Sequence, residues 1–395
     1  MITNHLPYPP ISGAPLRNYN MLRRYSRLHE VWVASFRSSA DDDANIGHLL
    51  EFCKGVETAA THPISGLANP LDFIKFLLSK KPPELRLYLS DELISKINRL
   101  IQEIDFDIID IEDSFMGIYL EVLPAKLQKN TVLTFHDVVF SKYLRISKLE
   151  PKIARKLRTW FYSTTMRSWE PFYAEKFGRC IAVSDSDRQM LLAANPRLQI
   201  DVVPNGVDTN LYQPLPSNTE KPALLFVGDM AYRPNIDAIN FFCQEIFPKI
   251  INVIPNIELW IVGINPPPEV KKFEAGNVHV TGKVDDVRPY YKRSSVCVVP
   301  LRAGGGTRLK ILEAMALGRP VVSTAIGCEG LNVEDGKQLL IAETADQFVD
   351  KILTLFLNEN LRNSIACQAR ELVVNCYDWD VIANSAMNIF SKLTR

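Results

Sequence analysis

The chain lacks what marks a nucleic-acid binder, a disulfide scaffold or a membrane-spanning protein. Its 395 residues carry 45 lysines and arginines against 45 aspartates and glutamates. With no net field and no binding motif, nucleic acid is excluded as a partner. The cysteines are Cys53, Cys180, Cys243, Cys297, Cys328, Cys367 and Cys376. They are odd in number, scattered and without a CxxC pair, which fits reduced thiols buried in a cytosolic protein. The start, Met1-Ile2-Thr3-Asn4-His5-Leu6-Pro7, has neither the basic region nor the apolar core of a signal peptide. The greasiest stretch near the front, residues 73–78, carries Lys75 and is too short to cross a bilayer. A cytoplasmic protein is expected.

Metal-binding clusters are missing too. Asp105-Phe106-Asp107 precedes an expected strand, the wrong end for a metal site. Asp41-Asp42-Asp43 and Asp285-Asp286 read as surface turns. No metal and no separate cofactor are expected.

What is present is alternation. Strands are expected at 31–35, 107–111, 131–135, 180–183 and 200–203, then at 223–227, 257–262, 278–280, 296–299, 320–323 and 338–341. Helices are expected between them, at 91–104, 186–194, 236–253 and 309–317. Such alternation builds parallel sheets covered on both faces. The turn cluster Pro204-Asn205-Gly206-Val207-Asp208 and the polar, proline-rich stretch 213–222 mark a join. The expected fold is α/β, with two Rossmann-like domains at 1–207 and 208–378 facing across a cleft. A last helix at 379–395 would pack back on the first domain. Only Met1-Ile2-Thr3 precedes the first polar loop, so the first strand is unusually short or the true start lies upstream.

The most informative stretch is Val298-Val299-Pro300-Leu301-Arg302-Ala303-Gly304-Gly305-Gly306-Thr307-Arg308-Leu309-Lys310. An apolar strand ends, three glycines turn the backbone and a helix begins. Glycines admit close approach to a ligand, and the first N–H groups of a helix point at an anion. Thr307, Arg308 and Lys310 add a hydroxyl and two cations, and Glu313 stands one turn further on to accept from sugar hydroxyls. The pocket fits a nucleotide diphosphate. In the first half, Gly13 and Arg17 sit at the first loop, where the backbone and a cation could meet the diphosphate from the other side. His136 follows the strand at 131–135, where ligands of open α/β sheets bind.

Residues 141–176 are basic, with nine cations against three carboxylates, a net +6. Trp160, Phe161, Tyr162, Trp169, Phe172 and Tyr173 are interleaved among them. An amphipathic helix packed on its own domain is favoured; peripheral contact with an anionic membrane is the alternative.

Several motifs together resemble the group 1, family 4 retaining glycosyltransferases. They are the glycine loop with Leu312-Glu313-Ala314-Met315-Ala316-Leu317-Gly318-Arg319-Pro320, the hinge Val203-Pro204-Asn205-Gly206-Val207-Asp208, and Leu6-Pro7-Tyr8-Pro9-Pro10-Ile11-Ser12-Gly13. The sugar transferases of exopolysaccharide clusters are the subgroup most resembled. The resemblance implies the GT-B fold, with the acceptor on the first domain and the donor on the second. It implies metal-independent transfer of a sugar from a UDP- or GDP-linked donor to a glycan or lipid-linked acceptor in cell-surface polysaccharide synthesis. It places His136 near the sugar's C6 hydroxyl and the acceptor, and leaves the acceptor's proton to the departing phosphate. Two departures stand out. Gly305 occupies the place of the family's first glutamate, eight positions before Glu313. Gly228 is followed by Asp229 instead of arginine, so phosphate charge falls to Arg308 and Lys310, with Arg233 as a helper. A GT-B nucleotide-sugar epimerase and a non-catalytic nucleotide-sugar binder are the competing readings.

Overall fold

The run Met1-Ile2-Thr3 becomes strand β1 (Ile2–Thr3) at the centre of a parallel sheet in the computed structural model. The structure describes residues 1–11, 13–38, 42–61, 81–150, 152–214, 222–304 and 308–394. Ile2 pairs with Ala34 on one side and Ile111 on the other. The Met1 ammonium donates to the Trp32 carbonyl at 2.8 Å, and the Ala34 amide to the Met1 carbonyl at 2.9 Å. Asn4 and His5 then turn away into a polar loop, which is why the strand is so short.

The other strands of this unit are β2 (Trp32–Arg37), β3 (Gly55–Ala60), β4 (Ile109–Glu112), β5 (Thr131–Phe135), β6 (Arg179–Ala182) and β7 (Ile200–Val202). Among the described residues the order is β3-β2-β1-β4-β5-β6-β7, and every pairing is parallel. Strand β3 has no counterpart in the sequence reading. Gly55-Val56-Glu57-Thr58-Ala59-Ala60 has little β-branched or aromatic content, and pairing along all of β2 supplies what propensity does not. Its glycine allows close approach: a Cβ at Gly55 would lie 2.7 Å from Cδ1 of Trp32.

The second unit has β8 (Ala223–Val227), β9 (Glu258–Val262), β10 (Val278–Val280), β11 (Val296–Val299), β12 (Val321–Ser323) and β13 (Leu340–Ile341). Its parallel order among the described residues is β10-β9-β8-β11-β12-β13. The helix expected over 236–253 is interrupted. It runs as α-helix over Arg233–Phe241, widens to a π-turn over Phe242–Ile246, and resumes over Phe247–Val253. Pro248 explains the widening, because it has no N–H to donate and its ring would clash with the preceding turn.

The first unit takes in Met1–Ser147, Lys152–Asn205 and Trp379–Arg395; the second takes in Gly206–Asp378. The helix Trp379–Leu393 buries Trp379, Ile382, Ala383 and Ala386 against Met21, Tyr25, Val132, Ile181 and Val203. Asp380 adds ion pairs to Arg24 at 2.7 Å and Arg27 at 3.0 Å. Trp379 is 1% exposed, so Trp379→Ala should lower the first unit's stability by about 3–5 kcal/mol in urea unfolding. A loss under 1 kcal/mol would mean that this helix adds little to the core.

Candidate active site

Each unit gathers polar groups at the carboxyl ends of its strands, where open α/β sheets bind ligands. In the second unit the helix Leu309–Ala316 follows β11, with Arg308 at its N-cap position. Among the described residues no side chain caps that helix, and its first turn holds no acid. Gly304 adopts φ +125°, a conformation that favours glycine. A Cβ there would also lie 2.8 Å from Nη2 of Arg308 and 3.1 Å from the Tyr232 hydroxyl. Gly304 thus lets a buried guanidinium and a phenol close in on the loop. Gly305, Gly306 and Thr307 lie outside the described residues.

Lys310 donates from Nζ to Oδ1 of Asn235 at 3.0 Å. Asn235 is itself held by the Asp229 carbonyl, to which its Nδ2 donates at 2.7 Å. Nζ also lies 4.2 Å from the ring centre of Phe226, a cation–π contact. Gly228 leaves the room for this arrangement: a Cβ there would lie 2.8 Å from Nδ2 of Asn235 and 2.9 Å from Nζ of Lys310. Desolvation, aided by the charge of Arg308, pushes Lys310 down to about 7. Glu313, one turn on, is pushed up to about 7 by burial, against the pull of the Tyr291 hydroxyl and Lys310. Both side chains keep part of their surface open to solvent while their charged ends sit among packed protein atoms. The buried Tyr291 hydroxyl divides its proton between Oε2 of Glu313 and the Lys310 carbonyl, each at 3.2 Å. Burial, then the Glu313 charge, holds that phenol well above its usual range, so it remains a donor.

The sequence-selected Gly304, Arg308, Lys310 and Glu313 therefore form one cluster. Tyr291, Asn235 and Tyr232 complete it, and sequence reasoning missed all three. Arg233 starts the same helix as Asn235 but is held by an acid. Its Nη1 donates to Oε1 of Glu269 at 2.8 Å in a half-exposed pair worth at most about 1 kcal/mol, so recruiting it to a phosphate would cost little.

In the first unit, β1, β4 and β5 end together. His136 follows β5, and its Nε2 lies 2.7 Å from Oε2 of Glu112, the last residue of β4. Both side chains are almost wholly buried. Burial works to raise the Glu112 carboxyl, but the bond and charge of His136, with Arg17, outweigh it and hold Glu112 below its ordinary value. The next residue, Asp113, takes φ +86°, a strained backbone for a non-glycine. Its carboxylate accepts from the Phe115 amide at 3.0 Å and from Nδ2 of Asn4 at 3.1 Å. Burial raises Asp113, opposed by His136, and lowers His5, opposed by Asp113. Strained backbone and shifted carboxylates beside one histidine make a polar site of this edge. Glu112, Asp113 and His5 were not selected from sequence.

Gly13 begins the helix Gly13–Tyr25, and a Cβ there would meet nothing within 4 Å. No protein neighbour requires glycine at that position. The placement of Arg17 is corrected. Instead of sitting in a loop, it lies on that helix, 1% exposed. Its Nη1 donates to the Pro204 carbonyl at 2.8 Å and to Oδ1 of Asn205 at 3.0 Å. Burial and these partners tie it to the end of the first unit, and its charge also acts on Glu112.

The comparisons cover both units. Residues 11–211 match the family described as Glycosyltransferase Family 4, and residues 221–358 match Glycosyl transferases group 1. An uncharacterized 44.6 kDa protein in the cps region of Klebsiella pneumoniae is 24% identical, over 96% of each chain. The phosphatidyl-myo-inositol mannosyltransferase of Mycobacterium leprae is 24% identical over 78% of this chain and 79% of its own. Among solved structures, sucrose-phosphate synthase from Thermosynechococcus elongatus superposes with a TM-score of 0.70 at 18% identity, covering 99% of this chain and 98% of its own. Anabaena Alr3699/HepE in complex with UDP-glucose gives 0.66 at 18% identity over 99% of each. The likeness in coordinates establishes the GT-B fold, and the family matches establish the class of enzyme. The chain belongs to the group 1, family 4 glycosyltransferases.

Proposed function

We propose that this enzyme is a retaining, metal-independent transferase working without a separate cofactor. It moves a sugar from a UDP- or GDP-linked donor to a glycan or lipid-linked acceptor in cell-surface polysaccharide synthesis, on the cytoplasmic side. The observation that carries this reading is the convergence of Arg308, Lys310 and Glu313 at the uncapped start of one helix. Two cations at a helix start suit a diphosphate, and a carboxylate one turn on suits ribose hydroxyls. The names of similar proteins support the donor class: one from Mycobacterium tuberculosis is described as GDP-mannose-dependent, and Anabaena Alr3699/HepE was solved with UDP-glucose.

In this reading the second unit binds the donor and the first binds the acceptor. The bond from the sugar's C1 to the β-phosphate oxygen breaks as the acceptor oxygen bonds C1. The acceptor's proton passes to the departing phosphate. Arg308 and Lys310 stabilise the charge that develops there, with Arg233 released from Glu269 when phosphate arrives. Gly13 leaves space for the diphosphate at the start of its helix. His136, its ring fixed by Glu112, holds the sugar or the acceptor.

A melting screen against UDP, GDP, ADP and their sugars tests the donor. UDP or GDP at about 100 times its Kd should stabilise the second unit by about 2.7 kcal/mol, several degrees in Tm. No shift with any nucleotide would sink the donor assignment. Retention is checked separately, by the anomeric configuration of the product in NMR.

A further inference from the structure

The helix Ile153–Ala174 has two unlike sides. One side buries Tyr162, Met166, Trp169 and Tyr173 in the core of the first unit. The other carries Ile153, Leu157, Trp160 and Phe161, spaced as one stripe along a helix and exposed by 76%, 60%, 50% and 47%. From 153 to 158 every residue is exposed, and this stretch holds Arg155, Lys156 and Arg158 with no acid. Of the six aromatics between 160 and 173, Tyr162, Trp169 and Tyr173 are buried, while Trp160, Phe161 and Phe172 are open. Packing on its own domain thus explains half of the aromatic content and none of the outer stripe. No helix among the described residues is long and apolar enough to cross a membrane.

We propose that this outer face, Ile153 to Phe161, docks on an anionic lipid bilayer, lying in the interface with Trp160 and Phe161 sunk among the headgroups. Charge decides the occupant. A bilayer with anionic lipids satisfies the three cations and accepts the apolar stripe together. A second copy of this chain, meeting it across a two-fold axis, would set the same three cations against themselves. Indole and phenyl rings beside arginine and lysine are the composition that settles at a membrane–water boundary. The inference concerns a surface of the first unit and stands whatever the donor proves to be.

Sedimentation of the full chain with vesicles tests it. The protein should pellet with vesicles of phosphatidylcholine mixed with phosphatidylglycerol and stay in solution with phosphatidylcholine alone. Added salt should release it. Lys156→Glu, a change of two charges, should lower the partition coefficient about 25-fold, near fivefold per charge. The double variant Trp160→Ser, Phe161→Ser should lower it at least about tenfold. Both replace exposed side chains, so an unchanged circular dichroism spectrum and melting point confirm that they fold. Equal binding to both kinds of vesicle would overturn the proposal, as would variants that pellet like the parent. So would a dimer in light scattering that the double variant breaks, since the stripe would then hold a second copy.

Discussion

Arg308→Ala will lower kcat/KM for sugar transfer by about 10²–10³-fold and abolish the thermal shift produced by the nucleoside diphosphate. The guanidinium is buried, sits at the N-cap of the helix Leu309–Ala316, and is placed there by the missing side chain of Gly304. A cation fixed at that point needs no reorganisation when charge develops on the leaving diphosphate, and removing one such group typically costs this much. Arg308→Lys should rescue little, because an ammonium cannot reproduce the planar fork. Arg302 is the internal control. It lies in the same loop, but its guanidinium donates twice to Asp237, at 2.7 and 2.9 Å, and lies over the Phe241 ring. Arg302→Ala should change kcat/KM by no more than about twofold. The assignment fails if the two variants behave alike, or if Arg308→Ala keeps activity within a factor of ten of the parent.

The reach of the sequence varied with the kind of feature. Strands β5, β8, β10 and β11 run where their apolar, β-branched segments predict, to the residue. The runs of β5, β8 and β11, buried almost throughout, leave no other place to go. Strand β3 was silent because its stability comes from its partner and not from its own residues. Gly304, Arg308, Lys310 and Glu313 were legible because they lie within ten residues of one another between a strand and the first turns of a helix. Their supports were not legible. Tyr291 reaches Glu313 across 22 positions and Asn235 reaches Lys310 across 75, and only the packing of the helices on the sheet brings them together. The same limit explains Arg17. Read locally it was a cation near a loop; in space it is a buried anchor on Pro204 and Asn205, 187 and 188 positions away. A close pair at His136 was equally out of reach, since Glu112 ends a different strand.

The pair Lys310 and Glu313 gives the second large expectation, in pH dependence. Lys310 ionises at about 7 in the folded site against 10.5 in an unfolded chain. Its charge is a cost to folding that is full below about pH 7 and disappears as pH climbs through 10.5. Glu313 titrates at about 7 against 4.5 unfolded, so its charge costs nothing below 4.5 and most above about 7. Both penalties meet near neutrality. Neutral substitutes should therefore stabilise the empty protein there: Glu313→Gln at pH 8 and Lys310→Met at pH 6, each by about 1–3 kcal/mol after allowing for their partial solvent contact. Donor binding reverses the pressure. A diphosphate at Nζ favours the ammonium, and ribose hydroxyls favour the carboxylate, so binding draws a proton onto Lys310 and off Glu313, and the two exchanges with solvent cancel only near pH 7. In the parent, affinity should be highest near pH 7 and weaken by about threefold at pH 6 and at pH 8, with proton release on binding at pH 6 and uptake at pH 8 in calorimetry across buffers of different ionisation enthalpy. The single variants uncover the two halves. With Glu313→Gln, Lys310 must take its proton from water, and affinity should fall towards tenfold per pH unit above about 7. With Lys310→Met, Glu313 must release its proton to water, and the residual affinity should fall at the same rate below about 7. Flat profiles in both variants, or variants no more stable than the parent when empty, would separate these two residues from the donor and leave Arg308 to hold the diphosphate alone.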